Sequence, residues 1–335
     1  MEKKNKATLV VGVLAIIISL IALYQVMAFE KPEFEEGVTE EQVSSIAEEI
    51  AQEYSREGEP LYTGTGMGFT IEFSNGDRHY ISGDTHAHWE METYIRDHIE
   101  PDVSYITGGN VYTPDLETAG WMAGLVDAED YSIPVHYKTF PFLDQEYQDF
   151  EDSVDKYREE GLTDTEALEI GKGEEWEHNG VSVHYVGHLT MIFEDPSGFT
   201  IMVDPWINTN PHAPDEWRNN PEEWPEIDMI LVTHGHLDHY TPGTIRDIQE
   251  MHDAVVIAEW ELAGHMTNQG FENVMAVNKG ANLNRQIFEG MGASGAIENM
   301  PEEMTIFTHW MKHSSSPATA LGEEFGIAED DEIGH

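Results

Sequence analysis

Thr233-His234-Gly235-His236-Leu237-Asp238-His239 is the stretch from which the fold of this 335-residue chain is read. The apolar run Met229–Val232 precedes it, and Thr241-Pro242, a helix-start signal, follows it. The segment is therefore expected on a loop at the C-terminal end of a buried strand. Imidazole suits zinc and similar divalent ions, and carboxylate adds a harder ligand. Three histidines and an aspartate within six residues cannot all reach one ion well. They can serve two adjacent ions, with His234 and His236 on one and Asp238 and His239 on the other. Two ions ~3.5–4 Å apart can hold a hydroxide between them and stabilise a displacement at a carbonyl or phosphorus centre. A chance cluster of surface histidines would not bring a strand before it and a helix after it.

Working outward, Ala254–Ala258 is a second short apolar run, beyond the helix that starts near Thr241-Pro242. Phe69–Phe73 and His79–Ser82 flank Asn75-Gly76, a strong hairpin signal. Met191–Phe193 and Phe199–Val203 flank Asp195-Pro196-Ser197-Gly198 in the same manner. Each hairpin ends in an aspartate, Asp84 or Asp204, which points to an internal duplication. Strands alternating with helices predict α/β layers. Gly64-Thr65-Gly66-Met67-Gly68 superficially suggests a dinucleotide loop. It precedes a strand instead of linking strand to helix, so it is read as a plain loop.

Composition narrows the function. The chain has no cysteine, so any transition metal falls to carboxylates and to its 17 histidines. Lys and Arg number 16 against 65 Asp and Glu, a formal net charge of -49 spread along the chain. Such a surface repels nucleic acid and anionic lipid, which argues against a phosphate-backbone partner and against a nuclease. It reads as an adaptation to high salt, since screening shortens to about 3 Å at 1 M. Hydrophobic residues make up 40%, enough for a packed core.

Ala7–Phe29 carries no charge and follows Lys3, Lys4 and Lys6; Glu30, Glu33, Glu35 and Glu36 come after it. A span needs about 20 apolar residues, so residues 1–29 are expected to anchor the chain in the cell membrane as a single pass, with the remainder extracytoplasmic. The rival is a signal peptide cleaved near Val26-Met27-Ala28, which would release a secreted protein. Residues 30–60 read as an amphipathic helix and linker, with Val43, Ile46, Ala47, Ile50, Ala51 and Tyr54 on one face. Residues 61–320 form the main domain and residues 321–335 an acidic tail.

The HxHxDH segment is the signature of the metallo-β-lactamase superfamily. The rest of the chain resembles one branch of it, the small metal-dependent hydrolases related to ascorbate-phosphate lactonase. Val186-Gly187-His188 followed by Val203-Asp204-Pro205 resembles the opening of that branch; Ile230–His234 and Val256–Glu259 continue it. His313-Ser314-Ser315-Ser316 resembles its third-histidine motif, Ser82-Gly83-Asp84-Thr85 its bridging-aspartate motif, and Ile133–Pro141, around His136, its last-histidine motif. In the branch the HxHxDH half comes first. Here Asp84 and His136 precede His234, so the chain reads as a circular permutation joined near Gly171–Gly180. Two chains completing each other's sites in a swapped homo-oligomer is the alternative.

The resemblance implies a four-layer αββα sandwich with one ion on His234, His236 and His313. It implies a second ion on Asp238, His239 and His136, with Asp84 bridging. Zinc is the first expectation and manganese or iron the alternatives. Catalysis would rest on Asp238, which helps orient a metal-bound hydroxide, and on His188, taken with Asp204 as a partner behind the ligands. His86 and His88 are expected in the pocket wall, His309 is a rival for His313, and Trp206, Asn208, Asn110 and Tyr137 are weaker pocket candidates. The implied activity is hydrolysis of a small-molecule lactone, ester, amide or phosphoester. The alternative is a non-catalytic extracellular binding module stabilised by metal.

Overall fold

The computed structural model describes residues 64–313, apart from 111, 140–142, 144, 209, 216, 219 and 237. The expected membrane segment, the amphipathic helix, the serines after His313 and the acidic tail lie outside the described residues. Among the described residues no helix is long and apolar enough to cross a membrane.

Two matching turns underlie the architecture. Phe73 N–H donates to Asp77 C=O at 2.8 Å, and Gly76 N–H to Phe73 C=O at 2.9 Å. Asp195 N–H donates to Phe199 C=O at 2.9 Å, and Gly198 N–H to Asp195 C=O at 2.7 Å. Gly76 and Gly198 are both left-handed, at φ 89° and 91°, where a side chain would be strained. The same five-residue turn thus joins β1 (Met67–Glu72) to β2 (Arg78–Ile81) and β8 (Thr190–Glu194) to β9 (Thr200–Val203).

The duplication extends well beyond the hairpins. One sheet adds β3 (Val103–Thr107), β4 (Tyr131–Val135), β5 (Glu166–Ala167), β13 (Asn282–Asn284) and β14 (Thr305–Trp310). The other adds β6 (Glu174–His178), β7 (Val181–Gly187), β10 (Met229–Leu231), β11 (Val255–Glu259) and β12 (Val274–Val277). Their orders are β13-β14-β1-β2-β3-β4-β5 and β6-β7-β8-β9-β10-β11-β12. Position by position the orientations agree, antiparallel over the first four strands and parallel over the last four. The expected joint at Gly171–Gly180 forms edge strand β6 and the approach to β7.

Alternation along the strands builds the layers. Phe69, Ile71, Val183, Tyr185, Met191, Phe193, Ile201, Leu231 and Ile257 point between the sheets and form one core. Their neighbours Ile192, Met202, Ile230 and Val256 point the other way, under α3 (Pro242–His252) and α4 (Trp260–Asn268). On the outer face of the first sheet, Tyr80 and Ile106 pack with a π-helix (Met91–Ile99), α1 (Leu116–Val126) and α2 (Tyr147–Glu159). The Asp115 side chain caps α1 by accepting the Thr118 N–H. The order is helix, sheet, sheet, helix, as expected; α5 (Arg285–Met291) adds Phe288 to the inter-sheet core. Strands β2, β4, β7, β9, β10 and β14 all run the same way within their sheets, so the residues that follow them share one end of each.

Candidate metal centre

Every expected site residue follows the C-terminal end of one of those strands: the ligand candidates Asp84 after β2, His136 after β4, His234 to His239 after β10 and His313 after β14, and the expected partner His188 after β7. Within one chain the structure gathers them into three overlapping groups. His234, His236 and His313 form the first; His136, His188, Asp238 and His239 the second; Asp84, His234 and His239 the third. The ligating atoms in each lie within 4.8 Å of one another. Asp84 Oδ2 stands 3.2 Å from His136 Nε2 and 3.4 Å from His239 Nε2, between the sheets' two contributions.

Hydrogen bonds fix which nitrogen each ring presents. Thr233 donates its hydroxyl to Asp204 Oδ2 at 2.7 Å, so at 2.9 Å it accepts from His234 Nδ1, leaving His234 Nε2 as the lone-pair nitrogen. Asp204 Oδ2 also accepts from His239 Nδ1 at 2.7 Å, which likewise presents His239 Nε2. The other oxygen of Asp204 accepts the Thr233 backbone N–H at 2.7 Å. Thr139 donates to His136 C=O at 3.3 Å and receives His188 Nδ1–H at 3.0 Å, which aims His188 Nε2 at Asp238 Oδ2, 3.0 Å away. These carboxylate and hydroxyl partners orient imidazoles in the manner of metal ligands.

The donor set fits divalent cations. His188 is buried and its pKa is pushed down to about 3, by burial first and then by His136, so its ring is neutral. A neutral Nε2 lone pair facing a carboxylate oxygen at 3.0 Å is unfavourable unless a cation lies between them. His236 Nδ1 similarly lies 2.9 Å from His234 Nε2 and 3.2 Å from His313 Nε2, near the edge length of a tetrahedron of nitrogens. Buried His239 Nε2 and His136 Nδ1 find no hydrogen-bond partner among the described residues. Burial pushes His239 down, but Asp84, Asp238 and Asp204 outweigh it and hold its pKa well above the usual histidine value. Burial also drives His234 well down, with His239 and His236 adding to it. Burial pushes Asp204 upward against the pull of His239 and Thr233. The carboxylates around His239 thus demand a positive charge, which a proton or a metal ion can supply.

Strained backbone accompanies the site. His136, His188 and Asp204 have φ of 75°, 63° and 46°, left-handed values that cost side-chain-bearing residues about 1 kcal/mol or more and cluster where function requires them.

Several expectations change. His188, expected as a partner behind the ligands, stands beside His136, Asp238 and His239 at a left-handed turn that follows the irregularity in β7. His309 is no rival for His313: it is buried in β14, hydrogen-bonded to Thr70 Oγ1 at 2.7 Å and flanked by Tyr80 and Tyr94. His86 is exposed, while His88 is buried against Trp310, so neither joins the ligand groups. Trp206 is buried against His188, whereas Asn110 is exposed and Asn208 half-buried. Tyr137 donates to Glu169 at 2.8 Å and lines a separate cavity of about 430 Å³ with Lys138, Lys172 and His212. Thr107, Thr139 and Thr233 hold Asp84, His188 and His234, roles that motif reading does not assign; Thr139 and Thr233 lie within quoted motifs, whereas Thr107 lies outside them. Gly66 backs the centre closely, since a Cβ there would meet the Met311 side chain and His234.

Comparison with known proteins places this geometry. Residues 182–303, which carry His188, Asp204 and the His234–His239 loop, match the model of a beta-lactamase superfamily domain. A UPF0173 metal-dependent hydrolase of Rubrobacter xylanophilus is 36% identical over 101 residues, covering 30% of this chain and 39% of the relative. Another, of Herpetosiphon aurantiacus, is 33% identical over 135 residues, covering 40% and 48%. The chain spans less than half the length of these curated relatives. Among solved structures it is similar to Igni18, a metallo hydrolase of Ignicoccus hospitalis, at 29% identity over 31% of this chain and 43% of that one, TM-score 0.26. The HxHxDH loop and its partners Asp204 and His188 all lie inside the matched segment, so residues 182–303 are similar to a beta-lactamase superfamily domain.

Proposed function

We propose that this protein is a metal-dependent hydrolase with a binuclear centre. His234, His236 and His313 would hold one ion and His136, Asp238 and His239 the other, with Asp84 between the two sets of residues. The observation that carries this reading is the convergence of the three overlapping ligand groups at one end of the two sheets. Divalent ions in that position, zinc first and manganese or iron as alternatives, supply Lewis acidity that polarises a substrate oxygen and activates water near neutral pH. The chain does the rest. Asp238, with 19% of its side chain exposed, is the carboxylate of the second group that reaches solvent, and it orients the attacking water and accepts its proton. His188, fixed by Thr139, sets its Nε2 3.0 Å from Asp238 Oδ2 and would add a neutral imidazole beside the second ion. Lactones, esters, amides and phosphoesters of small molecules are the substrate classes such a site serves.

Three further elements belong to the reading. The order of the motifs, with Asp84 and His136 ahead of His234, supports a circular permutation completed within one chain. The uncharged stretch Ala7–Phe29 behind three lysines supports a membrane anchor with the hydrolase outside the cytoplasm. The net charge of -49 supports a surface adapted to high salt.

The test is a panel of lactones, aryl esters, amides and phosphodiesters, with the chain loaded in turn with zinc, manganese and iron. Wild type should turn over at least one class, and Asp238→Ala should lose that turnover while keeping its circular dichroism. A metal-loaded, folded wild type inert towards the whole panel would favour the binding-module reading.

A further inference from the structure

A second convergence of imidazole and carboxylate lies at the other end of the sandwich. Asp77 precedes β2 whereas Asp84 follows it, and Asp130 precedes β4 whereas His136 follows it. The five residues of β4 separate the two ends by about 16 Å at the rise of a strand. There Asp77 and His79 of the first sheet meet His178, the last residue of β6 in the second. All three are buried, and their ligating atoms lie within 4.8 Å of one another.

The atoms converge on a single oxygen. Asp77 Oδ2 is 3.0 Å from His79 Nε2 and 2.8 Å from His178 Nδ1. Ligands at ~2.0–2.1 Å from a tetrahedral zinc stand about 3.3 Å apart, so each histidine need open from Asp77 Oδ2 only by a few tenths of an ångström. Each ligating group is also held from behind. His79 Nδ1 meets the Tyr105 hydroxyl at 3.1 Å, His178 Nε2 meets Asp130 Oδ2 at 3.0 Å, and Asp77 Oδ1 accepts from Asn179 Nδ2 at 3.1 Å. Both partners behind the rings offer an oxygen that can accept a ring proton, so each imidazole can turn a lone pair towards Asp77 while staying hydrogen-bonded. Outer partners of this kind fix the tautomer of metal-ligating histidines.

We propose that Asp77, His79 and His178 form an additional divalent-cation site of zinc type, separate from the candidate centre, that clasps the two sheets together. Its location gives it that role. The two matched hairpin turns meet there, with Asp195 accepting Ser74 N–H and Ser74 Oγ–H at 2.8 Å each and Asn75 donating to Asn179 C=O at 2.8 Å. An ion bonded to both sheets would lock this end, while the loops at the opposite end stay available to substrate. The site is structural, and the inference stands whether or not the candidate centre hydrolyses anything.

The test counts ions and locates them. Elemental analysis of zinc-loaded full chain is compared with His178→Asn, a substitution at a strand end that keeps a polar side chain. The variant should hold one zinc fewer per chain while matching the wild type in circular dichroism. An unchanged count in the folded variant overturns the proposal. Should His178→Asn fail to fold, a zinc-edge anomalous difference map from wild-type crystals decides. A peak bonded to Asp77, His79 and His178 confirms the site; none there, in a zinc-saturated crystal, means a hydrogen-bonded network only and sinks it.

Discussion

Asp204→Asn is the sharpest perturbation of the centre that leaves every proposed ligand in place. Asp204 is fully buried and accepts three hydrogen bonds of 2.7 Å, from Thr233 N–H, Thr233 Oγ–H and His239 Nδ1–H. An asparagine has the same shape but one accepting oxygen and an amide that only donates. If the oxygen keeps the Thr233 backbone N–H, the amide faces His239 Nδ1, which must then accept. The His239 proton moves to Nε2, the atom aimed at Asp84 and Asp238 and the one required for an ion. Two charge-assisted hydrogen bonds of roughly 1.5–3 kcal/mol each are lost, partly offset by no longer burying a charge. Loss of such an orienting partner weakens metal binding by about 10–100-fold, or roughly 1.4–2.7 kcal/mol. Zinc affinity measured against a competing chelator should fall by that factor, with near-native circular dichroism. An affinity within twofold of wild type would refute the reasoning that Asp204 sets the His239 tautomer.

Three other outcomes are expected. Mixing Asp84→Ala with His239→Ala protein should restore no hydrolysis, because the structure brings both residues together in one chain; regained activity would mean shared sites. His309 is fully buried with its pKa pushed down to about 3 by burial first and His88 second, against an unfolded value of 6.5. The unfolded chain therefore takes up this proton first, and stability that is present above pH 6.5 is lost as pH falls towards 3. In urea titrations over that window, His309→Phe should lose stability less steeply than wild type, by about 1.4 kcal/mol per pH unit; equal slopes would contradict the burial argument. Lowering salt from molar to about 0.01 M lengthens screening to about 30 Å, so near-UV circular dichroism should collapse as the acidic surface repels itself; an unchanged spectrum would count against the salt adaptation.

What the sequence made legible was local or periodic. The HxHxDH loop lies within a few residues, and the strand before it and Pro242 after it stand where expected, with β10 at Met229–Leu231 and α3 starting at Pro242. The two hairpins were visible through Gly76 and Gly198, which the shared turn requires in the left-handed region. What stayed hidden depends on backbone irregularity or on distant pairing. His188 reads as an outer partner until the irregularity in β7 and a left-handed φ of 63° bring its ring against Asp238. Sequence separates His309 from His313 only by the serines after His313; the structure separates them by placing His309 within β14, paired with Gly68 of β1 and buried. Asp77 and His178 are 101 residues apart, and nothing in either neighbourhood announces the other.

The claim on which the account rests is that one chain, using both of its sheets, holds two divalent ions at a single centre. Elemental analysis of zinc-loaded wild type beside the triple variant His234→Ala, Asp238→Ala, His239→Ala measures it directly. Taking the difference removes any ion bound elsewhere, including at Asp77. The account predicts that the folded variant holds two zinc ions fewer per chain. Equal zinc contents in the two proteins would contradict it.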